Sequence, residues 1–194
     1  MSRSNKNYIL KNQSRDVRPF LISALKYLKI KNPKLAIDLG CGVGIETCYL
    51  AEHHPWQVLA IDNDPMVLSL AKDKARDRKH HNIEFMQKSF EDLAQLPECD
   101  FLYCFHSLHF AGQATYDSVW KVITNSIVPD GILAISIFGE QDEMVLRNEA
   151  IGISEPEITD KLHGFNICSF NNNKLNASNS IHNFEVIAKK KSDL

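Results

Sequence analysis

Apolar residues along the chain alternate between helical spacing and short continuous runs. Val17, Leu21, Ala24, Leu25 and Leu28 fall at helical spacing, which predicts an amphipathic helix over about residues 16–29. Further runs and stripes of the same two kinds predict strands and the helices between them. The predicted strands cover residues 35–39, 57–61, 83–87, 100–105 and 132–138. The predicted helices cover residues 45–53, a segment that starts at Pro65, a segment from Tyr116 to Ile127 and a segment near 155–162. Asp64 is the predicted N-cap of the helix that starts at Pro65.

The order of these elements predicts the fold class. A turn is expected at residues 129–131, whose sequence is PDG, directly before the fifth strand. The runs FNICSF (165–170) and NFEVIAKK (183–190) predict a terminal antiparallel pair, joined by a polar loop within Asn171–Ser180. Strands that alternate with helices predict a doubly wound α/β domain with a mostly parallel sheet and helices on both faces. A ligand is expected at the carboxyl ends of its strands.

Composition limits the classes of partner. The 194 residues predict a single domain, and a net charge of −2 provides no basic surface for nucleic acid or an anionic membrane. Five cysteines are an odd number, and no CxxC spacing occurs among them. We therefore expect a reducing cytoplasmic location and no zinc site. The domain is expected to span residues 1–194, with an N-terminal arm over residues 1–15 and a core over residues 16–194.

A glycine-rich loop follows the first predicted strand. Gly40, Gly42 and Gly44 form a G-x-G-x-G pattern, whereas a dinucleotide fingerprint is G-x-G-x-x-G and would need glycine at Ile45. A tight turn without any ligand would also use glycines. The next predicted strand is followed at its tip by Asp62, 18 residues after Gly44. A carboxylate at that place can accept both ribose hydroxyl hydrogens of an adenosine.

Five segments in a fixed order carry a family resemblance. The segments DLGCGVG, AIDNDP, FMQKSFEDL, DFLYCFHSLHF and VPDGILAISIFGEQDEM together resemble the class I S-adenosylmethionine-dependent methyltransferases. Within that superfamily the chain is most similar to the small tellurite-resistance-type methyltransferases of bacteria, over about residues 14–190. The resemblance implies a Rossmann-like sheet of seven strands with an antiparallel last strand. It also implies S-adenosyl-L-methionine as the cofactor.

The same resemblance implies a set of cofactor-binding residues. The glycine loop would surround the methionyl end, Asp62 would hold the ribose, and the following segments would flank the adenine and the sulfonium. This chain has Ser89 where the family usually carries an aspartate. The implied cofactor-binding residues are Arg18, Asp38, Gly40, Cys41, Gly42, Gly44, Asp62, Asn63, Val67, Ser89, Phe90, Phe105 and His106.

Arginines near the start suggest a partner for the cofactor carboxylate. Arg15 and Arg18 precede the first predicted helix, and a guanidinium binds a carboxylate through two parallel hydrogen bonds. The alternative is that both arginines are exposed on a flexible arm. We also consider that the arm folds across the cleft as a lid, with Tyr8 or Ile9 excluding water.

Three histidines are candidates for a catalytic base. His106 and His109 follow the fourth strand, and His182 precedes the last strand. A structural role for each is the alternative. Their spacing shows no third ligand for a metal, so no metal is expected. The chain lacks both the Asn/Asp-Pro-Pro-Tyr/Phe tetrapeptide and a Pro-Cys pair, which leaves a small molecule as the methyl acceptor.

Three functions remain open at this level. The first is transfer of a methyl group to a small molecule by in-line displacement. The second is a non-catalytic domain that binds S-adenosylmethionine or S-adenosylhomocysteine. The third is a dinucleotide-dependent oxidoreductase, which would need a different glycine pattern and a separate substrate domain. A monomer or a homodimer is expected, with no nucleic-acid or membrane partner.

Overall fold

The computed structural model describes residue 9, residues 12–174 and residues 181–192. Helices and strands alternate along most of this length. The strands are β1 (Leu35–Leu39), β2 (Gln57–Asp62), β3 (Ile83–Gln87), β4 (Cys99–Phe105), β5 (Ile127–Phe138), β6 (Phe165–Asn173) and β7 (Asn183–Lys190). The helices are α1 (Pro19–Leu25), α2 (Ile45–His53), α3 (Pro65–Asp77), α4 (Tyr116–Ser126), α5 (Glu143–Leu146) and α6 (Glu155–Lys161), with a 3-10 turn at Leu108–Phe110.

All seven strands form one sheet in the order β3-β2-β1-β4-β5-β7-β6. Strands β1 to β5 pair in parallel, and β7 pairs antiparallel with both β5 and β6. The strand order reverses between β1 and β4, which is where a doubly wound sheet opens a crevice for ligands. The predicted Rossmann-like fold with an antiparallel last strand is therefore confirmed.

The sheet is covered on both faces because its central strands are apolar on both. Residues Phe101 and Tyr103 of β4 pack with α1 and α2, while Leu102 and Cys104 pack with α4 and α6. Leu68 of α3 packs with Ala60 of β2, on the same face of the sheet as α1 and α2. Central strands buried on both sides read as continuous apolar runs, which is why they were predictable from the sequence.

The first helix is shorter than predicted. The expected span was residues 16–29, but α1 begins at Pro19 and ends at Leu25. Arg18 has extended backbone angles because a residue before proline avoids the helical region. Pro19 then occupies the first helical position, where no amide hydrogen is needed. Val17 and Leu28 still pack against the core, although they lie outside the helix.

The fifth strand is longer than predicted, and the expected turn lies inside it. Strand β5 starts at Ile127, which pairs with Cys99, and the pairing resumes at Ile132 with Phe101. The intervening residues form an irregularity in the strand, in which Asp130 has a φ of 65°. The turn signal of the PDG segment therefore produces a local kink in a continuous strand.

The polar segment before the last strand was predicted as a loop over Asn171–Ser180. Residues 171–173 instead belong to β6, and residues 175–180 lie outside the described residues. Among the helices that the structure describes, none is both long enough and apolar enough to cross a membrane.

Candidate active site

The carboxyl ends of β1, β2 and β4 surround a cavity of about 320 Å³. This volume is within the range of small-molecule sites. The loop between β1 and α2 forms one wall and is tied to the end of β2. The backbone N–H groups of Gly40 and Cys41 both donate to the Ile61 carbonyl, at 2.8 and 2.9 Å. The glycine loop and the tip of β2 therefore form a single wall of the cavity.

Asp62 is held in place by the backbone on both sides of that wall. Its Oδ2 accepts from the Gly42 N–H at 2.9 Å, and its Oδ1 accepts from the Asp64 N–H at 3.0 Å. Burial raises the pKa of Asp62, while these backbone hydrogen bonds oppose the rise. The Asp62 carboxylate also lines the cavity. Asp64 also begins α3 as predicted, since its Oδ1 accepts from the N–H groups of Met66 and Val67.

The three glycines of the loop have different surroundings. Gly40 lines the cavity with a φ of 80°, and a Cβ there would lie 2.3 Å from Cβ of Ser107 at the end of β4. Gly44 lies outside the cavity lining; it has a φ of 74°, and a Cβ there would lie 2.8 Å from Ala71 Cβ in α3. Gly42 is also outside the lining. The structure thus gives Gly44 a helix-packing role, where the sequence predicted cofactor contact.

Asp38 is a buried carboxylic acid at the end of β1. Its exposed fraction is 2%, and its Oδ2 accepts from the Thr47 hydroxyl at 2.6 Å. Burial raises the pKa of Asp38 to about 7, with further rises from Glu46 and Asp62 and an opposing effect from Thr47. The cavity therefore has a carboxyl group that can change its charge near neutral pH.

The N-terminal arm is anchored beside the glycine loop. Glu46, in the first turn of α2, accepts two hydrogen bonds from the Arg15 guanidinium and one from the Arg18 guanidinium. Ile9 packs against Val43, Ile45 and Val67. Both arginines line the cavity, so the alternative of two arginines exposed on an arm is not what the structure shows. Tyr8, the other candidate lid residue, lies outside the described residues.

His106 stands at the end of β4 in a left-handed backbone conformation, with a φ of 51°. Its ring stacks on Phe105 with centroids 4.3 Å apart, and its Nε2 lies 3.4 Å from Nδ2 of Asn183. Asn183 is buried and also donates to the hydroxyl of Ser136 at 3.0 Å. Burial lowers the pKa of His106 to about 4, and the positive charge of Arg18 contributes to the fall. The imidazole is therefore neutral at physiological pH.

His109 and His182, the other two predicted catalytic candidates, are outside the cavity lining. His109 is buried, and its ring stacks on Phe138 with centroids 3.5 Å apart. The Nδ1 of His182 accepts from the backbone N–H of Gln141 at 3.1 Å. The ring of His109 thus packs in the interior, and the ring of His182 links the start of β7 to the loop after β5.

The opposite end of the cavity carries the residues predicted to flank an adenine. Asn63 and Val67 follow Asp62, while Ser89 and Phe90 follow β3. The Ser89 hydroxyl donates to Oδ2 of Asp92 at 2.9 Å and accepts from the Asp92 backbone N–H at 3.3 Å. The serine is thus linked to a carboxylate three residues later. Most of the predicted cofactor residues share the cavity: Arg18, Asp38, Gly40, Cys41, Asp62, Asn63, Val67, Ser89, Phe90, Phe105 and His106.

Several lining residues were missed by the sequence analysis. Glu46 gave no signal because an acid in the first turn of a helix is expected from the helix dipole. Tyr103 lies in an apolar strand and resembles a core aromatic, yet its hydroxyl is buried without a partner among the described residues. Ser107 and Phe110 belong to the segment HSLHF, whose path after β4 is irregular. Within the described residues, no group of three or more His, Cys, Asp or Glu side chains could hold a metal ion.

Comparison with known proteins identifies the family. A family model described as a methyltransferase domain matches residues 37–135, about half of the chain. The chain belongs to this methyltransferase family. The prediction of a class I S-adenosylmethionine-dependent methyltransferase is therefore confirmed. The family match gives no support to a dinucleotide-dependent oxidoreductase.

Solved structures of similar fold agree with this family. TehB from Haemophilus influenzae superimposes with a TM-score of 0.76 at 16% identity, over 96% of this chain and 67% of TehB. The N-methyltransferase NodS from Bradyrhizobium japonicum, in complex with S-adenosyl-L-homocysteine, gives a TM-score of 0.73 at 14% identity, over 97% of this chain and 99% of NodS. At these identities the likeness concerns the fold.

Sequence relatives are similar over shorter stretches. A protein of Synechococcus without an assigned function is 33% identical over 62% of this chain and 30% of its own length. A malonyl-[acyl-carrier protein] O-methyltransferase of Coxiella burnetii is 30% identical over 63% of this chain and 48% of its own length. The chain thus spans half or less of the curated relatives that it matches.

Proposed function

We propose that the protein transfers a methyl group from S-adenosylmethionine to a small-molecule acceptor. The observation that carries this proposal is the position of Asp62, which lies on the cavity wall and is hydrogen-bonded to the glycine loop through Gly42. A carboxylate fixed in this way can accept from both ribose hydroxyls. The membership of the methyltransferase family supports the same proposal.

The cavity residues fit the two ends of such a cofactor. At the adenine end, Asn63 and Val67 would flank the ring, and Phe90 would lie at its edge. The Ser89 hydroxyl has a further lone pair for the adenine amino group, and its link to Asp92 supplies negative charge in place of the family's usual aspartate. At the methionyl end, Asp38 and Arg18 offer groups of opposite sign for an amino-acid head.

The chemistry requires mainly alignment. The bound cofactor supplies an electrophilic methyl group on a sulfonium, whose leaving group is neutral. Phe105 and His106 would form the wall beside that methyl group, exclude water and orient the acceptor. Of the three histidines predicted as candidates for a catalytic base, only His106 lines the cavity, and the proposal gives it this orienting role.

Isothermal titration with S-adenosylhomocysteine tests the cofactor assignment, with NADH as the competing ligand. We expect binding of S-adenosylhomocysteine, and Asp62→Ala should weaken it by about 10–100-fold while the fold is kept. Asp117→Ala is a matched control, because that carboxylate pairs with Lys161 on the surface and is outside the cavity. Unchanged affinity in a folded Asp62→Ala variant, or preferential binding of NADH, would contradict the proposal. Binding without transfer to any acceptor would support the non-catalytic alternative.

The proposal also covers the location of the protein, its partners and its oligomeric state. We propose a cytoplasmic location, which the free cysteines at positions 41, 48, 99, 104 and 168 favour. The acceptor would be a small molecule, and neither nucleic acid nor membrane would be a partner, in keeping with the net charge of −2. A monomer or a homodimer would carry out the reaction.

A further inference from the structure

A buried hydrogen-bonded path connects the sheet to the ring of His106. Ser136 in β5 and Asn183 in β7 are both buried, with exposed fractions of 0% and 5%. The Asn183 side-chain amide donates to the Ser136 hydroxyl at 3.0 Å and contacts Nε2 of His106 at 3.4 Å. A primary amide has two N–H donors, so one can serve each partner. His106 is thus oriented by a residue 77 positions away in the chain.

This contact bears on which ring nitrogen of His106 carries the proton. The Asn183 atom nearest Nε2 is the amide nitrogen Nδ2, so a hydrogen bond between the two requires a neutral ring with its hydrogen on Nδ1. Nδ1 makes no hydrogen bond to the described residues and is not enclosed, while the residue lines the cavity. In this form the contact with Asn183 uses the one lone pair of the ring, and Nδ1–H is a donor without a hydrogen-bond partner among the described residues.

A donor at this place cannot remove a proton from the acceptor. Arg18 on the arm lowers the pKa of His106, and the ring of His109 on the loop after β4 lies beside it, with centroids 6.0 Å apart. The guanidinium of Arg18, which is also paired with Glu46, lies 4.7 Å above the Phe105 ring at this end of the cavity. Phe110, also in the lining, is 53% exposed and provides an apolar rim. These features favour an acceptor with an ionised group and an apolar body.

We infer that the methyl acceptor is a small carboxylate, whose oxygen accepts a hydrogen bond from Nδ1–H of His106. This inference rests on the proposed methyltransferase function. One carboxylate oxygen forms a bond to the methyl carbon while the bond from that carbon to sulfur breaks. The electron pair of the broken bond goes to sulfur, so the products are a methyl ester and a neutral thioether. No proton is released, and no base is needed. Asn183 is a positioning residue in this reaction.

Nitrogen-15 NMR of His106 tests the structural step without any acceptor. We expect the Nδ1–H tautomer in the wild type. Asn183→Asp replaces the donor with a carboxylate, so His106 should change to the Nε2–H tautomer. Asn172→Asp makes the same change at an exposed position of β6 and should leave His106 unaltered. A wild-type ring in the Nε2–H form would overturn the inference.

A panel of short-chain and aromatic carboxylic acids, alcohols and amines tests the substrate class, with formation of S-adenosylhomocysteine and proton release as readouts. We expect transfer to a carboxylate without proton release. Asn183→Asp should raise KM for that acceptor about tenfold or more, with cofactor affinity within about twofold of wild type.

Two results would overturn the inference while leaving the proposed function intact. One is transfer to an alcohol or an amine with one proton released per turnover. The other is transfer to none of the carboxylates by a protein that binds S-adenosylhomocysteine. A wild-type protein that fails to bind S-adenosylhomocysteine would instead refute the proposed function. The NMR measurement of the His106 tautomer would still test the contact with Asn183 in that case.

Discussion

Glu46 and Arg15, which lie 31 residues apart in the chain, form a bidentate ion pair with N–O distances of 2.6 and 2.5 Å. Arg18 adds its backbone N–H and one guanidinium N–H to the same carboxylate, both at 3.2 Å. The Glu46 side chain is only 5% exposed. One carboxylate in the first turn of α2 therefore anchors the segment that precedes α1 to the wall of the cavity.

Replacing Glu46 with glutamine should release this segment. An amide cannot accept from both arginines as a carboxylate does, and Arg15 and Arg18 would lose their ion pairs with Glu46. We expect the free energy of unfolding to fall by about 3 kcal/mol and amide exchange of residues 12–18 to become faster. Glu143→Gln is the control, since its pair with Arg147 is exposed on both sides and should change stability by less than about 1 kcal/mol. Equal effects of the two variants would contradict the anchoring role.

The ion pair of Glu46 with Arg15 also makes the free energy of unfolding depend on pH, in a direction set by the pKa of Glu46. Burial raises the pKa of Glu46, but the hydrogen bond from Arg15 and the charges of Arg18 and Arg15 outweigh it, so the pKa is lowered below 4.5. A lowered folded-state pKa contributes stability above the unfolded-state value, and this stability is lost as the pH falls through the folded-state value. Urea unfolding at pH 7 and pH 3 should therefore show a smaller difference between wild type and Glu46→Gln at the lower pH.

Asp38 should produce the opposite dependence. Burial raises its pKa from 3.8 to about 7, so the folded state binds a proton that the unfolded state releases. Its contribution to stability is complete below about pH 4 and is lost as the pH rises toward 7. Relative to wild type, Asp38→Asn should gain about 4 kcal/mol between pH 4 and pH 8. Thermal or urea unfolding of both proteins across that range is the measurement. A constant difference would show that the carboxyl group is already ionised in the folded protein at low pH.

The charge of Arg18 should be visible in the titration of His106. Burial is the larger cause of its pKa of about 4, and Arg18 is the second. Arg18→Met should therefore raise the pKa of His106 and leave it below 6.5. Arg15→Met serves as the comparison, because Arg15 has no part in the shift of His106. Carbon-detected NMR of the imidazole gives both values, and an unshifted pKa in Arg18→Met would place the guanidinium too far away to act.

Gly44 should be required for helix packing more than for ligand contact. Alanine there would combine a φ of 74° with a Cβ only 2.8 Å from Ala71 Cβ. We expect a loss of about 2 kcal/mol or more in the free energy of unfolding. Gly164→Ala is the control, because a Cβ at that position meets nothing within 4 Å. Ala71→Gly should recover part of the loss in the double variant by removing the clash. No recovery would mean that backbone strain alone accounts for the cost.

The sequence by itself determined the order of the elements and the place of the site. Apolar runs for β1, β2 and β4 were readable because strands buried on both faces need apolar residues at successive positions. Asp62 was predictable because a parallel sheet brings the carboxyl ends of its strands together, so the glycine loop and the next strand tip must be neighbours. These conclusions depend on local pattern and on topology alone.

Only the tertiary structure decided which side chains act in the cavity. His106, His109 and His182 have similar local sequence surroundings, yet one faces the cavity while the other two serve packing and loop structure. The anchoring of the arm by Glu46 and the orientation of His106 by Asn183 join residues that are 31 and 77 positions apart. Hydrogen-bond partners at such separations are fixed by how strands and helices pack, and the direction of a side chain in an irregular loop follows from that packing. The spacing of apolar residues along the chain carries no information about these partners or about the direction of a side chain.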